Sequence, residues 1–217
     1  MNHGMPSQEL KMRLLQAVEA TPASTRREES KRTIWLVGGA LALSFAAFFA
    51  YGGVRMTART PSLVIGTAAG TAVIAAFAIW AMMARGRAMG GRASSWLTSV
   101  AIASPVALLA WKVLWSAQYE HGLDSMQGRL GFRCLGVTLT LGALPLAAML
   151  VSRRGTDPVH PGRAGMGIGV GLGLGAATLV DAWCPVAYVP HLLLGHILPL
   201  ALLGAAGLWL GRKFLAA

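Results

Sequence analysis

Apolar residues run along this chain in six long stretches that short polar segments separate. Each stretch is about 20 residues long, the length at which a helix crosses the hydrocarbon core of a bilayer. In lipid every backbone N–H and C=O group needs an internal partner, so apolar runs of this length form helices. The pattern therefore predicts an all-α polytopic membrane protein with six transmembrane helices. The predicted spans are residues 34–51, 63–84, 96–115, 134–151, 165–183 and 191–210.

A polar head, residues 1–33, precedes the first span. Residues 8–20 have the spacing of a short amphipathic helix, and the stretch after Pro22 is typical of a linker. The apolar side of this helix carries Leu10, Leu14, Leu15 and Val18. A single short helix is marginal in water, so it either lies on the membrane surface or docks into a partner. The expected domains are thus the head, a membrane domain over 34–212 and a tail over 213–217.

Composition agrees with a membrane protein, because 55% of the residues are hydrophobic and only 12% are charged. A soluble domain carries about 25% charged residues. The net charge of +11 would suggest nucleic-acid binding in a soluble chain, but its distribution indicates an orientation instead. Of the 19 Lys and Arg residues, 14 lie in the head, in the second and fourth loops and after the last span. Because Lys and Arg favour the cytoplasm, both termini are expected there, with no direct contact to nucleic acid.

This topology brings two cysteines and three histidines to the outer side of the membrane, namely Cys134, Cys184, His121, His191 and His196. The cysteines either meet as a thiol pair, which can persist as a disulfide outside the cytoplasm, or stay apart as two apolar side chains. With the histidines they offer nitrogen and sulfur ligands that suit zinc, cadmium or copper. The spacing of His191 and His196 weighs against a tight site, because residues five apart in an α-helix point about 140° apart. No metal, haem or other cofactor is therefore expected.

Two charged residues lie well inside predicted spans, Lys112 in the third and Asp181 in the fifth. A charge inside a membrane is costly and is usually paired or functional. The similar depth of these two residues allows an ion pair beneath the cysteines. The alternative is that each side chain reaches the interface on its own.

Glycine occupies every second position from Gly165 to Gly175 at the start of the fifth span. This period excludes the dinucleotide-binding fingerprint, which needs glycines at i, i+2 and i+5. In a helix it produces two small-residue faces, so the span either packs closely on two neighbours or is loosely wound. The sequence contains no Walker loop, paired carboxylates or nucleophile elbow, and no enzymatic activity is expected.

Two short stretches carry a resemblance to a known family. They are Gly131-Phe132-Arg133-Cys134-Leu135 at the start of the fourth span, and Trp183-Cys184-Pro185 followed by His191, His196 and Pro199. Together with the head and the six spans, they resemble the NrsF-type membrane anti-sigma factors of proteobacteria. The resemblance implies that residues 1–33 hold an extracytoplasmic-function sigma factor at the bacterial inner membrane. It also implies that Cys134 and Cys184 form a sensor pair.

The function expected is therefore sequestration of a sigma factor until stress changes the outer thiols. Within the head, Leu10, Leu14, Leu15 and Val18 are expected to face the sigma factor. His191, His196, Lys112 and Asp181 are expected to support the sensor pair from the same side of the membrane. The alternatives are a quinone-linked membrane thiol oxidoreductase, which normally shows a Cys-x-x-Cys or a second thiol pair, and a small transporter subunit.

Overall fold

The computed structural model describes residues 12, 16, 26–54, 60–83, 94–119, 131–154, 159–184 and 186–216. Regular secondary structure in these residues is helical throughout, and no strand occurs among them. Six helices are long and apolar enough to cross a membrane, which confirms the predicted fold class. The elements are α1 (Arg26–Ala50), α2 (Pro61–Met83), α3 (Ser94–Ser116), α4 (Phe132–Ser152), α5 (Pro161–Trp183), α6 (Val189–Leu192), a π-helical segment (Leu193–Ile197) and α7 (Leu198–Phe214). The last three form one continuous sixth span.

The predicted head lies largely outside the described residues. Met12 and Gln16 are helical and exposed, whereas Leu10, Leu14, Leu15, Val18 and the loop residue His121 fall outside the described part of the chain. The stretch predicted as a linker differs from expectation, because α1 begins at Arg26 and runs without a break into the first span. Glu, Lys and Arg are good helix formers, and they extend a helix that the apolar span has already nucleated.

Helix α5 lies at the centre of the bundle. It contacts α2, α3, α4 and α7, and most of its residues are buried inside the protein. Helix α1 packs against α4 at the edge and exposes most of its residues. Helix α4, which carries Cys134, therefore lies between the central helix α5 and the edge helix α1.

The alternating glycines allow this central position. A Cβ atom at Gly169 would overlap the carbonyl oxygen of Leu203 in α7, so the two backbones are in direct contact. On the other face, a Cβ atom at Gly171 would lie 3.0 Å from the side chain of Ile79 in α2. Of the two alternatives for this span, close packing on two neighbours is confirmed. Loose winding is wrong, because α5 is a continuous α-helix.

Large apolar side chains cover the outside of the bundle. A surface of this kind is unfavourable in water, but it matches the acyl chains of a bilayer. The exposed apolar residues of α1 to α3 include Leu41, Leu43, Phe45, Phe49, Val73, Phe77, Ile102 and Val106. The six helices thus have the surface of a multi-pass membrane protein.

Candidate functional site

Two thiols and two imidazoles meet at one end of the bundle, where α4 begins, α5 ends and the sixth span starts. We call this the cysteine end. Cys134 lies in the first turn of α4, Cys184 follows the last residue of α5, and His191 and His196 lie in the sixth span. The ligand atoms of these four residues all lie within 4.8 Å of one another. The expectation of two cysteines that stay apart is therefore wrong, and both are free thiols in the structure.

His191 lies between the two thiols. Its Nε2 atom is 3.5 Å from Sγ of Cys134 and 3.4 Å from Sγ of Cys184. Cys134 and both histidines are buried, whereas Cys184 is half-buried. The hydrogen bond with Cys134 lowers the pKa of the Cys184 thiol against the effect of burial, and the hydrogen bond with His191 adds to the lowering. Cys184 is also the more accessible thiol of the pair.

The π-helical segment explains why two histidines five residues apart face the same cluster. In this segment the N–H group of Leu198 donates to the carbonyl oxygen of Leu193, five residues earlier. A π-turn holds more residues than an α-turn, so positions five apart come onto one side of the helix. The ring centroids of His191 and His196 are 5.5 Å apart. The angle of about 140° that weighed against a tight site holds for a regular α-helix, and the π-helical segment removes it here.

Two glycines let the start of α4 approach the histidines. The sequence named Gly131 only as part of the stretch that carries the resemblance, and Gly195 was not singled out. Gly131, the residue before α4, has a φ of +84°, a conformation that favours glycine. A Cβ atom at Gly131 would lie 2.8 Å from the carbonyl oxygen of His191, and one at Gly195 would lie 3.0 Å from Cβ of Cys134. The available signal was their position, since Gly131 lies three residues before Cys134 and Gly195 lies between the two histidines.

A buried ion pair lies beside the cluster. Nζ of Lys112 in α3 is 2.5 Å from Oδ1 of Asp181 in α5, and both side chains are fully buried. Thr71 of α2, another residue that the sequence analysis missed, donates from Oγ1 to Oδ2 of Asp181 over 2.6 Å. The ion pair that the sequence allowed is thus present, and the alternative in which each charge reaches the interface alone is wrong.

His196 joins the ion pair to the thiols. Its Nδ1 atom is 3.1 Å from Oδ1 of Asp181 and 3.2 Å from Nζ of Lys112. Its Nε2 atom is buried and has no hydrogen-bond partner among the described residues. Few buried polar atoms in folded proteins lack a hydrogen-bond partner, so this atom is unusual.

The cluster is also connected to α1, the helix that continues from the predicted head. Phe48 of α1 is buried in one apolar cluster with Cys134, Val137 and Leu141 of α4. At the next turn, Ser44 donates its hydroxyl hydrogen to the carbonyl oxygen of Leu141 over 2.9 Å. The first turns of α4 are therefore in direct contact with α1.

Comparison with known proteins adds one match. The family model NrsF, described as "Negative regulator of sigma F", matches residues 17–216. No curated protein and no solved structure shows a significant match to this chain. The matched region includes the four residues of the cluster, the buried ion pair and all six spans.

Proposed function

The chain belongs to the NrsF family of negative regulators of sigma F, and on this premise we propose that it is an inner-membrane anti-sigma factor for an extracytoplasmic-function sigma factor. Its partner is a sigma factor. In the proposal, residues 1–33 bind that partner on the cytoplasmic side, and the six helices over 34–212 anchor the complex in the bilayer. No catalytic role is proposed.

The distribution of charge supports a topology with both termini in the cytoplasm. The end of the bundle opposite the cysteine end carries basic residues from the segment that follows α4, from α5 and from α7, namely Arg153, Arg154, Arg163, Arg212 and Lys213. Lys and Arg near the ends of spans favour the cytoplasmic face. On this orientation the cysteine end faces the periplasm, where thiol states vary more than in the cytoplasm.

The observation that carries the sensing part of the proposal is the convergence of Cys134 and Cys184 at the junction of three spans. Oxidation to a disulfide, in which an external oxidant accepts two electrons and two protons, would covalently connect α4 to the end of α5. Reduction, or binding of a thiophilic metal, would change the same junction. Each event alters how α4 sits against its neighbours.

The contact between α4 and α1 supplies a route from the thiols to the head. Phe48 packs in the same cluster as Cys134, and residues 26–33 of the head are the first turns of α1. A shift of α4 therefore changes the position of α1 and of the segment that precedes it. We propose that this movement releases the sigma factor.

Purification of the full chain from bacterial membranes tests the proposal. The chain is expressed with an affinity tag, solubilised in mild detergent, and analysed for bound protein before and after treatment with an oxidant. An extracytoplasmic-function sigma factor that co-purifies and is lost on treatment supports the proposal. A bound quinone with no sigma factor supports the thiol oxidoreductase instead, and it overturns the anti-sigma function.

A further inference from the structure

We propose that Cys134, Cys184, His191 and His196 form a four-ligand site for a divalent cation of the zinc class. The proposal deepens the sensing role given above and depends on it only for the regulatory consequence. Two sulfur and two nitrogen ligands in tetrahedral array are a typical binding site for Zn²⁺. Three different segments of the fold supply them, so the cation would connect α4, α5 and the sixth span.

The distances agree with such a site. With Zn–S bonds of about 2.3 Å and Zn–N bonds of about 2.05 Å, a tetrahedral centre separates sulfur from nitrogen by about 3.6 Å. Nε2 of His191 lies 3.5 Å from Sγ of Cys134 and 3.4 Å from Sγ of Cys184. All four ligand atoms lie within 4.8 Å of one another. Small side-chain rotations are therefore enough to complete the coordination.

His196 supplies an independent observation that points to a ligand. Its buried Nε2 atom has no hydrogen-bond partner in the described part of the chain, while Nδ1 is 3.1 Å from Oδ1 of Asp181. When the N–H group at Nδ1 donates a hydrogen bond to this carboxylate, Nε2 carries the free lone pair, which is available to a metal. A carboxylate that orients a histidine in this way is the usual outer partner of a metal-bound imidazole. Asp181 is thus a positioning residue, and Lys112 and Thr71 hold it in place.

Charge balance favours a divalent cation at this depth. A cation with two positive charges and two thiolates is neutral, and the adjacent pair of Lys112 and Asp181 is also neutral. Because the two thiols release their protons to water as the cation binds, binding adds no net charge to a region where charge is costly. Cys184 is the only partly exposed member of the four ligands, so the path of entry leads past it from the cysteine end.

Co²⁺ is the probe for the test, because it replaces Zn²⁺ and reports its ligands through visible and near-ultraviolet absorption. The full chain is kept reduced in detergent and titrated with Co²⁺. We expect one ion per chain, intense visible bands of a tetrahedral centre, a thiolate charge-transfer band, and loss of all of them when Zn²⁺ is added. An octahedral spectrum, or binding that persists in the variant C134S/C184S, overturns the site.

Histidine variants separate a four-ligand site from simple binding to two thiols. His191→Ala and His196→Ala are each expected to weaken Co²⁺ binding at least tenfold and to change the visible spectrum. His160→Ala, at the start of α5 and away from the cluster, is the matched control and should bind Co²⁺ like the parent chain. Unchanged affinity and spectrum in both cluster variants overturns the proposal.

The positioning role of Asp181 is tested in a variant that keeps the region neutral. The double change of Asp181→Asn with Lys112→Met removes both charges and avoids an unpaired buried ammonium group. We expect Co²⁺ affinity to fall about 10- to 100-fold while the tetrahedral spectrum is retained. Unchanged Co²⁺ affinity in this variant overturns the role of Asp181. A spectrum showing that another ligand has replaced His196 also overturns it.

The two proposals fail in different ways. A chain that binds Co²⁺ tetrahedrally but carries no sigma factor from the membrane overturns the anti-sigma function and leaves the metal site standing. A chain that holds the sigma factor but shows no tetrahedral Co²⁺ spectrum overturns the metal site alone.

Discussion

At the scale of single residues, Cys134 and Cys184 lie in one cluster, so we expect them to function as a pair. We predict that Cys134→Ser impairs the stress response about as much as Cys184→Ser, and that the double variant adds little, because either change removes the pair. The measurement is a reporter of sigma-dependent transcription during exposure to an oxidant and to a thiophilic metal. The amount of each variant in the membrane is measured in parallel. A normal response in one single variant, with failure in the other, would replace the pair with a single reactive thiol.

The buried ion pair leads to a second prediction at this scale. Asp181→Leu leaves the ammonium group of Lys112 buried without its counter-charge, which destabilises a protein by about 3–5 kcal/mol. The double change of Asp181→Leu with Lys112→Met is expected to recover a large part of this loss, because no charge then remains buried. Thermal unfolding of the purified chain in detergent measures both effects. Losses that simply add in the double variant would show that the two charges do not stabilise each other.

At the scale of single helices, α5 depends on the absence of side chains along one face. We predict that Gly169→Ala lowers stability by about 1–3 kcal/mol, because the added methyl group overlaps the backbone of Leu203. The matched control is Gly175→Ala, where nothing lies within 4 Å of the new Cβ atom. Thermal unfolding in detergent should separate the two variants clearly. Equal stability of the two would mean that α5 and α7 can move apart without loss.

The second prediction at this scale concerns the apolar side of the predicted head helix, which carries Leu14. We predict that Leu14→Asp releases the sigma factor and raises its regulon, because a buried apolar anchor at an interface is typically worth about 2 kcal/mol or more. Gln16→Asp introduces the same charge on the opposite side of the helix, where the native side chain is exposed, and should leave repression intact. Transcription of the regulon and the membrane level of each variant are measured together. Full repression by a stable Leu14→Asp protein would exclude this face as the binding surface.

At the scale of the whole molecule, the topology determines which end of the bundle faces the cell interior. We predict that a reporter fused after Ala20 reads as cytoplasmic and that one inserted at Gly122 reads as periplasmic, because 14 of the 19 basic residues lie on the side of the head. The topology is measured with two reporters, one that is active in the cytoplasm and one that is active in the periplasm. A periplasmic signal at Ala20 or a cytoplasmic one at Gly122 would overturn the orientation and the proposed sensing end.

The sequence by itself determined the properties that depend on composition and local order along the chain. Six apolar runs were enough to predict six spans, because lipid forces long apolar segments into helices. The spacing of glycines in α5 predicted two small-residue faces, but it left open whether the helix packs closely on two neighbours or is loosely wound. The similar depths of Lys112 and Asp181 allowed an ion pair without deciding it, since depth says nothing about which way a helix faces.

Only the tertiary structure decided which side chains meet at the cysteine end. The rotation of α4 and α5 brings Cys134 and Cys184 together, and the π-helical turn places His191 and His196 on one side of the sixth span. A single extra residue in a helical turn rotates all the later side chains of that helix about its axis. No local pattern in this sequence predicted that insertion. The contact of Thr71 with Asp181 likewise joins residues 110 positions apart. The helices thus follow from the sequence, whereas the cluster follows from how they pack.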